Sequence, residues 1–112
     1  MAYDEELADR IRELLAGEQV SEKAMFGGLA FLLNGNMSVS ASGQGGLLVR
    51  VDPDEMVALL AEPGAEEFEM GSRGPMKGWL RVRPDALDDE RVLTQWVRRG
   101  VTYARSLPPK ST

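Results

Sequence analysis

Any chemistry in this chain would have to run on carboxylates, Lys, Arg, Tyr or Ser, or on a bound cofactor; its 112 residues include no His and no Cys. That excludes metal sites built on imidazole or thiolate, thiol nucleophiles, disulfides and the Ser-His-Asp arrangement. One cationic loop is Gly71–Gly78, where Arg73 and Lys77 lie among three glycines. Backbone amides in such a loop, beside two cations, suit a small anion. The context is strand, loop, strand, which is wrong for a nucleotide fingerprint, and an ordinary hairpin loop explains the same composition. Trp79, Arg81 and Arg83 follow at alternate positions and so share one strand face, which Arg50 can join from another strand. An aromatic ring with cations beside it can stack a base and touch phosphates. The simpler reading packs Trp79 against a helix or a partner chain and pairs the arginines with carboxylates.

The acidic clusters Asp52, Asp54, Glu55 and Asp88, Asp89, Glu90 have the composition of acid–base pairs. Both fall where a helix begins, and capping and the helix dipole account for them there. Lys23 and Lys77 stand alone, with nothing local to mark either as a base or a Schiff-base former. Met25-Phe26-Gly27-Gly28 lacks the strand-then-helix context and the Lys-Ser/Thr of a phosphate loop. Its glycines suit a bulge or a close approach of two backbones. No acid, base and nucleophile assemble, so the expectation is a non-enzyme with no catalytic residues, no metal ligands and no cofactor.

These residues need elements to position them. Leu7, Ile11, Leu14 and Leu15 form one apolar stripe, predicting a helix over Asp4–Ala16 with Asp4 as its N-cap. Ala24–Leu33 reads as a strand, and Asn34-Gly35 after it is a hairpin signal because a type I′ turn needs two positive φ angles. In the next strand Met37, Val39 and Ala41 alternate with Ser38, Ser40 and Ser42, predicting one buried and one open face. Leu47–Val51 completes a meander. Asp52-Pro53-Asp54-Glu55 predicts a capping box at the start of a helix reaching about Glu62, with Val51 and Met56 as its hydrophobic staple. Short strands follow at Glu67–Met70 and Trp79–Arg83. A last helix runs from about Asp89 to Ser106, capped by Asp88 and stapled by Leu87 and Val92. Gly100 interrupts it, and close packing on the sheet is the reason expected. The order α-β-β-β-α-β-β-α segregates strand runs from helices, so the fold class is α+β with a mostly antiparallel sheet. One domain over residues 1–112 is expected, with its core in 4–107 and a loose tail at 108–112.

Charge is divided along the chain. Residues 1–70 carry 4 basic and 14 acidic groups, whereas residues 71–112 carry 9 basic and 4 acidic, for a net charge of −5 overall. An acidic whole disfavours nucleic acid, for which phosphate contacts dominate affinity, yet leaves local anion binding open in the basic third. Two oppositely charged halves also suit pairing across a homodimer. The acidic start has neither the basic end nor the apolar stretch of a signal peptide, and no apolar run approaches the roughly 20 residues of a membrane span. A cytoplasmic protein off the membrane is expected.

The run Glu22–Met37, with Met25-Phe26-Gly27-Gly28 and with Asn34-Gly35 followed by Met37, resembles the N-terminal domain of the TfoX/Sxy family. The strand end Leu47–Asp52 and Trp96 in the last helix fit the same pattern, and the resemblance covers about residues 4–107. It implies an α+β sandwich like that of secretion chaperones, a fold that commonly dimerises. The namesake members regulate natural competence genes as coactivators beside a cyclic-AMP receptor regulator. They carry a second, helical domain with no counterpart here, so a stand-alone first domain is expected. The resemblance brings no catalytic residues. It implies a regulatory or adaptor domain acting through protein contacts with a transcription-associated partner. A small-anion or nucleotide-binding module on Arg73, Lys77, Arg81 and Arg83 is the alternative, and direct nucleic-acid binding a second one. Trp79 joins those four as the candidate ligand or partner surface.

Overall fold

The computed structural model of the chain describes residues 3–25, 27–69 and 75–109. Its α+β fold has one six-stranded antiparallel sheet and three α-helices. Helix α1 (Glu5–Leu14) starts where Asp4 accepts hydrogen bonds from the amides of Glu6 and Leu7, at 3.0 and 3.2 Å. Its apolar stripe buries Leu7, Ala8 and Ile11, with Leu15 buried just past its end. The sheet follows as β1 (Val20–Met25), β2 (Gly28–Leu33), β3 (Asn36–Ala41) and β4 (Leu47–Arg50). A 3₁₀ turn (Pro53–Glu55) leads into α2 (Met56–Leu60), then β5 (Ala65–Glu69), β6 (Pro75–Val82), a 3₁₀ turn (Pro84–Asp88) and α3 (Glu90–Ser106). The strand order is β1-β2-β3-β4-β6-β5, so β6 inserts between β4 and β5.

The expected strand over Ala24–Leu33 is two strands. The chain reverses at Gly27, whose φ of 76° is open to glycine, and β1 pairs with β2 from Met25↔Gly28 to Val20↔Leu33. β1 escaped the apolar pattern because it is an edge strand whose Ser21, Glu22, Lys23 and Ala24 are exposed. The Asn34-Gly35 turn is as expected, with φ of 54° and 81°. The open serine face of β3 is not. Ser38, Ser40 and Ser42 are all buried. Ser38 and Ser40 are satisfied by donating to the carbonyls of Phe31 and Leu29, at 2.9 and 3.1 Å. A hydroxyl that can turn back onto its own sheet needs no water, so alternation of polar type here did not mean alternation of exposure.

Two helix starts differ in detail. Asp52 accepts from the amide of Asp54 at 2.9 Å and caps a 3₁₀ turn, while Glu55 stays exposed instead of closing a capping box. α3 is capped by Asp89, which accepts from Arg91 N at 2.9 Å; Asp88 belongs to the preceding 3₁₀ turn. The second proline–acid cluster, Pro84-Asp85, lengthens that turn and moves the cap by one residue. Leu87 is still buried beneath it.

The core lies between the sheet and the helices. Across the sheet Phe31, Val39, Val49 and Leu80 stand in one register row, all fully buried, facing Ile11 of α1 and Leu93, Trp96, Val97 and Val101 of α3. α3 crosses β3 at Gly100, where a Cβ would lie 2.5 Å from the Ser38 carbonyl oxygen. This close packing is the one expected for Gly100. A second close approach joins two turns: a Cβ on Gly28 would lie 2.2 Å from the Ala41 oxygen, and one on Gly43 would lie 2.5 Å from the Gly27 oxygen.

Candidate functional site

Strand β6 carries most of the residues singled out for binding. Alternation along it puts Lys77, Trp79 and Arg81 on the face opposite the buried Leu80 and Val82. Lys77 is exposed and Trp79 half-buried, with Arg50 of β4 as its register partner. Arg81 is already engaged. It donates to Glu66 of β5 at 2.6 Å and to the carbonyls of Gln44 and Gly45 in the β3–β4 turn, at 3.2 and 2.8 Å. Its role in the fold is to fasten that turn to two strands. Arg83 lies past the strand, exposed and 3.4 Å from Asp85. Arg73 falls outside the described residues, as does Phe26 of the family motif. The described part of that motif serves the turns: Gly27 takes the positive φ of the β1–β2 reversal, Gly28 permits the close approach to the Ala41–Gly43 segment, and Asn34 and Gly35 form the hairpin. Met25 and Met37 are half-buried strand residues.

Arg50 leads away from this stripe, its guanidinium lying 6.0 Å from the centre of the Tyr103 ring on α3. Tyr103 lines a groove of about 590 Å³ between α3 and the Val51–Leu59 segment. One wall carries Asp52, Glu55 and Leu59, and the other Arg98, Arg99 and Tyr103. Arg99 stacks over the buried Trp96 at 4.5 Å and reaches Glu62 at 3.6 Å, while its Nη1 is buried without an acceptor. Arg98 stands on the crest of α3. It lines this groove and a second one of about 370 Å³ between α3 and the end of α1, floored by Leu14, Leu15, Val97 and Val101. No carboxylate among the described residues pairs with it.

The sequence reading missed Arg98 and Arg99. An arginine in a helix is an ordinary surface residue until the neighbour across the groove is known. It also missed Asn36, which is buried and donates to the Pro108 carbonyl at 3.0 Å, tying the end of α3 to the β2–β3 hairpin. Arg12 of α1 clamps Glu22 of β1 with two bonds, at 2.7 and 2.8 Å. Those bonds hold the Glu22 carboxyl below the usual carboxylate range and raise the Arg12 guanidinium above its own.

Among the described residues no group of three or more carboxylates is placed to hold a metal ion. No helix there is long and apolar enough to cross a membrane. The arrangement offers cations, an aromatic stripe and a mixed-charge groove, which are means of binding. No curated protein matches the chain, and no solved structure matches it. The sequence model of the TfoX N-terminal domain family matches residues 12–104, from the last turn of α1 almost to the end of α3. Spanning all six strands and the α3 ridge, that match means that the chain belongs to the TfoX N-terminal domain family.

Proposed function

We propose that this chain is a non-catalytic regulatory or adaptor domain of the TfoX/Sxy type, acting in the cytoplasm as a homodimer that docks a transcription-associated protein. The family match over residues 12–104 carries this reading. The exposed Lys77 and the half-buried Trp79, side by side on β6, support that strand as the docking stripe. A half-buried ring next to an exposed cation is the kind of anchor that protein interfaces use. The test is affinity capture from native lysate with the wild-type chain and with Lys77→Glu and Trp79→Ala, each checked for folding by circular dichroism. Enrichment of transcription components by the wild type, lost in the variants, is the expected result. A wild type that never enriches such a component overturns the reading.

A second reading, a small-anion or nucleotide module, is favoured by one observation, the unpaired Arg98 beside the orphaned Arg99 nitrogen. Arg81 spends both terminal nitrogens on a carboxylate and two carbonyls and keeps only its Nε buried without an acceptor, which speaks against the β6 version. Calorimetry with common nucleotides and phosphorylated metabolites separates the two readings. Under the adaptor reading no heat appears at millimolar ligand.

A further inference from the structure

Helix α2 is made only of apolar residues, Met56-Val57-Ala58-Leu59-Leu60, and none of them is buried. Its inner side, Met56, Leu59 and Leu60, leans on the core half-covered. Its outer side, Val57 and Ala58 with Ala61 just beyond, faces solvent. Val57 is 86% exposed, the one large hydrophobic so exposed among the described residues. A short helix has little propensity to stand on its own and draws its stability from an apolar face covered by something else. Here the core half-covers the inner side, and the outer side is left uncovered by the described residues.

The surroundings say what fits. The acids Asp54 and Glu55 lie at the N-terminal end of α2, and Arg98 stands across the groove on α3. A partner of one charge sign would meet like charge on one side of this patch. A second copy turned about a two-fold axis can set the acids of each copy against the Arg98 of the other, because in such an interface residue i faces j and j faces i. Val57, Ala58 and Ala61 of one copy then lie along the α2–α3 groove of the other. Its Glu55 reaches the Arg98 that has no carboxylate of its own. Apolar centre and oppositely charged rim are the usual anatomy of a protein interface.

We infer that the outer face of α2 and the groove beside it form the homodimer interface of this protein, with Val57 at its centre and Glu55–Arg98 pairs at its rim. The inference rests on the homodimer put forward above and adds the surface to it. Sedimentation equilibrium of the full chain over a micromolar to submillimolar range tests both, and they can fail separately. The wild type is expected to dimerise. Val57→Glu changes a solvent-facing side chain, so the fold is retained by circular dichroism. Losing a buried valine there is expected to raise the dimer dissociation constant by about tenfold or more. Arg98→Glu weakens the dimer, and adding Glu55→Arg restores it. A chain that is monomeric throughout overturns both the dimer and the surface. A dimer insensitive to Val57→Glu overturns the surface and leaves the dimer standing. A charge swap that restores nothing overturns the two-fold arrangement of the rims.

Discussion

Gly100 shows how one residue is decided by two opposing magnitudes. In an exposed helix an alanine would be worth about 1 kcal/mol more than glycine. Here its methyl would meet the Ser38 carbonyl oxygen at 2.5 Å and Val39 Cγ1 at 2.8 Å, and β3 is central in the sheet and cannot retreat. Overpacking of that kind costs about 1–3 kcal/mol, so Gly100→Ala is expected to destabilise on balance, read as a lower urea midpoint. A rise in the midpoint would mean that α3 shifts away freely. Arg81 makes the complementary point. Its pair with Glu66 and its two carbonyl bonds join β5, β6 and the β3–β4 turn. Charge-assisted bonds are worth about 1.5–3 kcal/mol when lost, so Arg81→Ala is expected to cost stability of that order in the same assay. The alternation that put Arg81 on the face opposite Leu80 was legible in the sequence. Its partners, 15 and more residues away, were not, because no local pattern tells which turn a strand passes beneath.

At the scale of elements, periodicity located α1 and α3, the capping signals of Asp52–Glu55 located α2, and the turn chemistry located the β2–β3 hairpin, since all these signals are local. What escaped was β1, whose exposed polar residues carry no alternation, and the register of the α3 cap, since two adjacent aspartates both suit an N-cap. The structure separates them. Asp89→Ala is expected to cost about 1 kcal/mol of stability and Asp88→Ala close to nothing; equal losses in thermal melts would contradict the assignment of the cap to Asp89. β1 is held from outside the sheet by Arg12 of α1 through Glu22. The folded-state pKa of Glu22 is depressed by those hydrogen bonds. Its contribution is therefore complete above the ordinary carboxylate range and is lost as pH falls through the lowered folded value. Glu22→Gln is expected to flatten that part of the acid limb of a stability–pH curve and to leave neutral-to-alkaline differences constant. An unchanged acid limb would show that the clamp does not persist in solution.

Over the whole molecule, the division of charge along the chain is largely spent within the fold. Of the basic groups after residue 70, Arg81, Arg99 and Arg105 each pair with a glutamate from the first seventy residues, respectively Glu66, Glu62 and Glu18. Arg83 and Arg91 lie near the local Asp85 and Asp89. Among the described cations of that third, Lys77 and Arg98 remain without a carboxylate, one on β6 and the other on the crest of α3. Non-specific nucleic-acid binding needs several phosphates neutralised at once, with affinity falling as salt displaces the released counterions. With Lys23 on β1 and Arg50 on β4 they make four such cations among the described residues, each on a different element of a chain of net charge −5, and scattered in that way they do not meet that need. A fluorescently labelled duplex titrated with the protein at physiological salt is therefore expected to show no binding tighter than about 10⁻⁴ M, the weak end of the non-specific range. A tighter complex whose affinity drops steeply with salt would mean that those internal ion pairs open to phosphate, and would move the function from protein contacts to the nucleic acid itself.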